Sequence, residues 1–269
     1  MTYQIEDLLH LMSELRHPDY GCPWDKKQTL DSLVPCTIEE AYEVAEAIAG
    51  GDFDEIKQEL GDLLFQVVFY AQIAQEQAQF DFTDITCVLV EKLLRRHPHV
   101  FPDGSLESAG TAPVCDEQQL GKRWDEIKQL ERNARNKESI LDDIPQALPA
   151  LSRASKLQKR AASVGFDWPA IGGVFKKLDE EKAELEQAIK AGSKRAEEEE
   201  LGDLLFTCVN IARHLGVDPE AALREANHKF ERRFNNIEMS VKAAGDELEN
   251  ISLEQFESRW QEAKLNCER

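Results

Sequence analysis

The stretch Glu59-Leu60-Gly61-Asp62-Leu63-Leu64-Phe65 returns unchanged as Glu200-Leu201-Gly202-Asp203-Leu204-Leu205-Phe206. Each copy follows a Glu-Glu-x-x-Glu run at the same distance. Glu40, Glu43, Glu59 and Asp62 therefore correspond to Glu181, Glu184, Glu200 and Asp203, every pair 141 positions apart (181−40, 184−43, 200−59, 203−62). A repeat at about half the length of a 269-residue chain implies two tandem units, each long enough to bury a core. The joint falls at Asp142 to Pro149, which carries two prolines, so the expected domains are an N-terminal unit over 1–140 and a C-terminal unit over 141–269.

Leu60, Leu63, Leu64, Val67 and Val68 recur at steps of three and four, as do Leu201, Leu204, Leu205 and Val209, whereas period-two alternation is scarce. This spacing predicts amphipathic helices and an all-α fold. In the first unit, helices are expected over Ile5 to Leu15, from a start at Pro35 and Thr37 to the Gly50-Gly51 stop, over Phe53 to Gln77, up to Arg96, and over Gln118 to Asn136. Thr37 is the expected cap of the second of these. The second unit should repeat the order with Ala150 to Ser163, Val174 to Ala191, Glu197 to Leu215, Pro219 to Ala244 and Ser252 to Lys264.

An apolar fraction of 42% beside 31% charged residues suits helices that are wet on one side. The formal net charge of −20 disfavours a nucleic acid duplex as partner, because such a field repels phosphate backbones. Nucleotides are still admitted, since carboxylates can collect a cation that receives the phosphates. Six scattered cysteines without a Cys-x-x-Cys pair read as reduced thiols. The start of the sequence lacks the pattern of a secretory leader, and no apolar run approaches the length of a membrane span, so the expectation is a cytoplasmic protein with no membrane partner.

Residues three apart share a helical face, so Glu181 with Glu184, and Glu200 with Asp203, each aim two carboxylates one way. Two such helices joined by a short turn are antiparallel neighbours, which collects all four acids. Clustered carboxylates resist ionising together, and a hard cation removes the conflict. Mg²⁺, with Mn²⁺ as a substitute, suits oxygen ligands and keeps positions for water and phosphate. A lone Glu-x-x-Glu on a charged helix is usually a solvated face, but decorative charge has no reason to recur inside an identical frame. Gly61 and Gly202 cost about 1 kcal/mol each in a helix and are expected to mark close approach of a backbone or ligand.

Two cationic echoes lie downstream. Lys92, Arg95 and Arg96 match Lys229, Arg232 and Arg233, now 137 apart (229−92), and Arg-Trp-x-Glu-x-Lys occurs at Arg123-Trp124 to Lys128 and at Arg259-Trp260 to Lys264. Lys229 with Arg233, and Trp260 with Lys264, share helical faces and suit polyphosphate and a stacked base. Two other readings compete. A di-iron protein needs paired Glu-x-x-His motifs, and Glu14-x-x-His17 and Glu225-x-x-His228 occupy unrelated positions in the two halves. A non-catalytic scaffold or sensor would bind metal or nucleotide without turnover.

Glu-Glu-x-x-Glu followed by Glu-Leu-Gly-Asp, in tandem and with Lys-x-x-x-Arg and Trp-x-x-x-Lys behind, resembles the MazG family of nucleoside triphosphate pyrophosphohydrolases. His97-Pro98-His99-Val100-Phe101 and Val164-Gly165-Phe166-Asp167-Trp168 add to the likeness. The resemblance implies units of four-helix type completed by dimerisation, a homodimer, and Mg²⁺-dependent hydrolysis of nucleoside triphosphates to monophosphate and pyrophosphate. It also implies a part in clearing nucleotide pools or in stress responses. Carried over by position, Glu181, Glu184, Glu200 and Asp203 would be the catalytic metal ligands, and Lys229, Arg233, Trp260 and Lys264 the nucleotide contacts. Lys177 lies four residues before Glu181, where it can hold a phosphate, while the matching position in the first half is Cys36. The C-terminal site is therefore the expected active one, and Glu40, Glu43, Glu59 and Asp62 a second site or a regulatory remnant.

Overall fold

The computed structural model describes residues 2–110, 127 and 139–267, with side chains up to 265. The chain divides into two compact units, Met1–Glu131 and Arg132–Arg269. Among the described residues both are helical and neither contains a strand.

The first unit contains α1 (Ile5–Leu15), α2 (Leu30–Gly50), α3 (Phe53–Glu76) and α4 (Phe82–Arg96). α2 begins seven residues before Thr37 because Thr29 caps it instead. The Thr29 hydroxyl accepts from the Ser32 amide at 3.2 Å, and Ser32 Oγ accepts from the Thr29 amide at 2.9 Å. This reciprocal cap, together with the burial of Leu33, outweighs the hydrogen bond that Pro35 removes inside the helix. Thr37 instead donates to the Leu33 carbonyl and pairs with the Tyr70 hydroxyl at 2.7 Å, tying α2 to α3. Gly51 ends α2 with φ near +78°, a left-handed turn that lets Asp52 cap α3 at once. The core joins Met12, Leu33, Val68, Phe69 and Ile73. Arg16 forks onto Glu76, with Nε to Oε1 at 2.9 Å and Nη2 to Oε2 at 2.7 Å, and its third nitrogen reaches the carbonyls of Asp25 and Gln28. One guanidinium thus fastens the loop after α1 to the end of α3. The expected helix over Gln118 to Asn136, with Arg123, Trp124 and Lys128, lies outside the described residues apart from Ile127.

The second unit contains α5 (Ala150–Ala162), α6 (Ile171–Ala191), α7 (Lys194–His214), α8 (Pro219–Ala243) and α9 (Leu253–Cys267). α6 and α7 form a hairpin whose turn repeats that of the first unit, with Gly192 left-handed and Ser193 capping α7. α6 starts three residues before Val174 and α7 three before Glu197, so each expected start is corrected toward the N-terminus by one turn. At the start of α6, a Cβ on Gly173 would collide with the Trp168 indole, so only glycine lets that ring lie down. Asp167 accepts from Arg213 and its carboxyl is held below its ordinary range chiefly by that bond. The pair pins the loop before α6 to the end of α7, the task that Arg16 and Glu76 perform in the first unit with the charges exchanged. α8 and α9 pack through Ile237, Val241 and Ala263, with Phe256 and Trp260 against them. α5 packs on both α7 and α8, and Gln158 donates to the Phe206 carbonyl at 2.7 Å.

Candidate active site

The α6–α7 hairpin turns the spacing of the acids into a cluster. Oxygen atoms of Glu181, Glu184 and Glu200 all lie within 4.8 Å of one another. Asp203 stands outside that trio, yet its charge reaches Glu200. Desolvation first, then the charges of Glu184, Glu181, Asp203 and Glu199, push the Glu200 carboxyl above its ordinary range. Such a raise records loss of solvent around the carboxyl first and repulsion from neighbouring carboxylates second. Glu181 is the most enclosed member, only 4% exposed. Its charge is met by Lys177, whose Nζ lies 2.6 Å from Glu181 Oε1 and 2.7 Å from Glu180 Oε1. Hydrogen bonds to Glu180 and Glu181 hold the lysine firmly protonated.

The first unit builds the same figure with different neighbours. Glu40, Glu43 and Glu59 come within 4.8 Å of one another on the α2–α3 hairpin. Desolvation and the charges of Asp62 and Glu43 raise the Glu40 carboxyl. Glu59 is raised by desolvation, Glu43, Asp62 and Glu55. Among the described residues no ion pair holds Glu40. Gln66 approaches it instead, with Nε2 at 3.4 Å from Glu40 Oε1. That amide is only 6% exposed and its Oε1 has no hydrogen-bond partner. Position 207, the counterpart of Gln66, is a buried threonine. Neither Lys177 against Cys36 nor Gln66 against Thr207 lies within the duplicated heptapeptide, and Gln66 escapes a reading of the sequence because glutamine on a helix gives no chemical signal of its own.

Both clusters offer a donor set made of carboxylate oxygens, which fits a hard divalent cation. The Gln66 amide beside the first cluster turns its nitrogen toward Glu40. Among the described residues, neither His17 nor His228 belongs to a group of three or more ligand types, which removes the structural basis for a di-iron centre.

The downstream residues meet one another on a second hairpin. The Arg233 guanidinium lies 5.7 Å from the Trp260 ring centroid, and Phe230 tilts against the same indole at 5.4 Å. Trp260 lines an apolar groove between α8 and α9 and touches the core there, so the ring has both a packed and an open side. Lys264 donates to Gln261 at 3.3 Å, and Lys229 is exposed. α8 packs chiefly on α9 and only sparingly on acid-bearing α7. Acids and Lys177 are thus assembled on one hairpin, and Arg233 with Trp260 on another. Among the described residues, nothing lies within 4 Å of where a Cβ on Gly61 or Gly202 would stand, so these residues do not supply the close approach of a backbone expected there.

A family model described as the MazG nucleotide pyrophosphohydrolase domain matches the chain twice, over residues 28–101 and 173–237. A protein of Escherichia coli strain K12 named nucleoside triphosphate pyrophosphohydrolase is 51% identical over 265 residues, 97% of either chain. A Thermotoga maritima protein named nucleoside triphosphate pyrophosphohydrolase/pyrophosphatase MazG is 45% identical over 96% of this chain and 95% of its own. A crystal structure of a mazG-related protein from Thermotoga maritima aligns with 46% of this chain and 98% of its own at 28% identity, with a TM-score of 0.38.

Proposed function

The chain belongs to the MazG family and is a nucleoside triphosphate pyrophosphohydrolase, and from that premise we propose that the C-terminal acid cluster carries the reaction with Mg²⁺. One observation carries the choice of unit: Glu181, Glu184 and Glu200 converge beside an ammonium, that of Lys177, whereas among the described residues no ion pair joins a lysine or arginine to Glu40, Glu43 or Glu59. A triphosphate brings several negative charges into an acidic site, and Lys177 is a cation already within the second cluster that can meet them.

In this reading Glu181, Glu184, Glu200 and Asp203 hold the ion. The bound cation supplies polarisation of the α-phosphate and a lowered pKa for the attacking water. Water attacks the α-phosphorus and the α–β anhydride bond breaks, giving nucleoside monophosphate and pyrophosphate. Lys177 turns its Nζ from Glu180 and Glu181 toward the phosphates. Lys229, Arg233 and Lys264 stabilise charge on the departing pyrophosphate, a stabilisation that matters most where water is excluded. Trp260 offers its face to the base, and stacking without a donor–acceptor pattern fits broad base use. The protein acts in the cytoplasm, as a homodimer that covers the half-exposed Leu201, Leu205 and Phe206 of α7. Clearing of nucleotide pools or a stress response is the role that fits this chemistry.

The test measures pyrophosphate and orthophosphate separately across a panel of nucleoside triphosphates with Mg²⁺. Glu184→Ala should abolish pyrophosphate release. Loss with Glu43→Ala alone would reverse the ranking of the units, and orthophosphate as the sole product would sink attack at the α-phosphorus.

A further inference from the structure

The loop before α6 holds an aromatic ring in a fixed place. Trp168 lies where a side chain on Gly173 would point, its Cγ 3.0 Å from that Cβ position. The Trp168 amide donates to Asp167 Oδ1 at 2.9 Å, and the same oxygen accepts from Arg213 and lies 3.2 Å from His214 Nε2. Arg213 in turn donates to buried Asn210, Nη2 to Oδ1 at 2.8 Å. The turn that carries the indole is thus fastened to the end of α7. Yet the tryptophan is 38% exposed, so it is braced without being enclosed.

Helical geometry gives the neighbours of that ring. With about 100° and about 1.5 Å per residue, Lys177 lies about 40° round α6 from Gly173, Glu184 about 20° and Glu181 about 80°. Lys177, Glu181 and Glu184 therefore occupy the face of α6 on which Trp168 rests. Indole, ammonium and carboxylates follow one another along this face, about 12 Å from Gly173 to Glu181. A nucleotide presents its parts in the same order, a flat base, then phosphates, then the cation they share. The first unit uses these positions otherwise. The counterpart of Gly173 is Ser32, whose hydroxyl accepts from the Thr29 amide in the cap of α2. Its loop tryptophan, Trp24, meets the core residue Phe69 in an edge-to-face contact at 6.5 Å.

We infer that Trp168 is a base-stacking residue of the C-terminal site: the nucleobase lies on the open side of its indole while Lys177 takes phosphate and the acids take the cation. The inference rests on the reading of those acids as metal ligands. It adds the residue that fixes how far the base stands from the reacting phosphate. A base has two faces, so one on Trp168 leaves the other for Trp260. Stacking requires a flat aromatic ring and is indifferent to the hydrogen-bonding edge of the base. Trp168 therefore selects nucleotides over bare polyphosphate and leaves base use broad.

The test sets nucleoside triphosphates against inorganic tripolyphosphate, which has the phosphates and no base, on the full chain with Mg²⁺. In Trp168→Ala, KM for nucleoside triphosphates should rise about 5- to 100-fold, the worth of one stacked base, while kcat changes far less. Inhibition by tripolyphosphate should keep its original constant. Trp168→Phe, which retains an aromatic face, should recover most of the loss. An unchanged KM would overturn the inference. Equal weakening of nucleotide and tripolyphosphate would also overturn it, leaving Trp168 as a support of α6 alone. A measurement on the unaltered chain covers the case of a variant that fails to fold. A nucleoside triphosphate with a photoreactive azide on its base, bound with Mg²⁺ and irradiated, should label the peptide that contains Trp168. Label confined to other peptides would contradict the placement of the base. The parent reading fails separately, by pyrophosphate release that survives Glu184→Gln, an outcome independent of where the base labels.

Discussion

Lys177 Nζ sits 2.6 Å from Glu181 Oε1, one helical turn away on the same face, and bridges to Glu180 at 2.7 Å. This contact distinguishes the two halves of a duplicated chain. Lys177→Met leaves Glu181 enclosed and without its cation. Pyrophosphate release should fall about 100-fold, the scale of losing one charge-stabilising donor. Stability should fall by about 1–3 kcal/mol, the cost of an unsatisfied buried acceptor. Steady-state kinetics and a urea titration read the two effects, and unchanged turnover would remove Lys177 from the site.

The raised carboxyls of Glu40, Glu59 and Glu200 fix the direction of a pH effect. A carboxyl whose folded value lies above its unfolded one carries no penalty while protonated in both states. The penalty develops as pH rises from the unfolded value through the folded one, and it stays above that range. Divalent cations relieve the same repulsion. Mg²⁺ should therefore raise the melting temperature more at pH 7.5 than at pH 5, and an equal or larger shift at pH 5 would contradict desolvated, mutually repelling carboxylates as the source of the penalty.

Glu76 titrates in the opposite sense. The Arg16 fork holds its carboxyl below the ordinary range, so the stability it confers is present above the unfolded value and is lost as pH falls through the folded one. Glu76→Gln should remove this acid-side dependence from the first unit and cost about 1–3 kcal/mol at neutral pH, since Arg16 keeps its bonds to Asp25 and Gln28 but loses its anion. Pyrophosphate release should persist. Thermal unfolding scanned against pH, with activity in parallel, checks both parts.

Trp260 tests the second hairpin. Replacing it with alanine should raise KM for nucleoside triphosphates by about 5- to 100-fold, the worth of roughly 1–3 kcal/mol of base stacking. Trp260→Phe keeps an aromatic face and should recover most of that loss. If both variants bind substrate alike while only stability changes, the indole is a core residue packed on the Ile237, Val241 and Ala263 cluster and nothing more.

Phe69 probes the core of the first unit. It is 1% exposed and carries Trp24 and Phe65 against its ring, so Phe69→Ala should cost about 3–5 kcal/mol. The denaturant midpoint measures the loss.

Most helices were legible because their apolar residues recur with helical period and their ends carry local chemistry. Ile5–Leu15 and Phe53–Glu76 follow directly from such patterns. The start of α2 did not, because Pro35 and Thr37 imitate a helix start and the competing cap at Thr29 is favoured by Leu33, whose burial is a tertiary fact. At Gly61 and Gly202 the described residues of the chain bring nothing near, so a helical glycine alone does not say what approaches it.

The repeat by itself determined that there are two helical units, that each brings its acids to one hairpin, and which family the chain joins. Spacing along a helix is enough for that, since residues three and four apart must share a face. Only the tertiary structure decided the company those acids keep. Lys177 on Glu181 could be drawn from the sequence as a possibility of spacing, but Gln66 on Glu40, an amide 26 positions away, depends on how α2 meets α3. The unpaired oxygen it leaves follows from burial, which is a property of packing and has no sequence period.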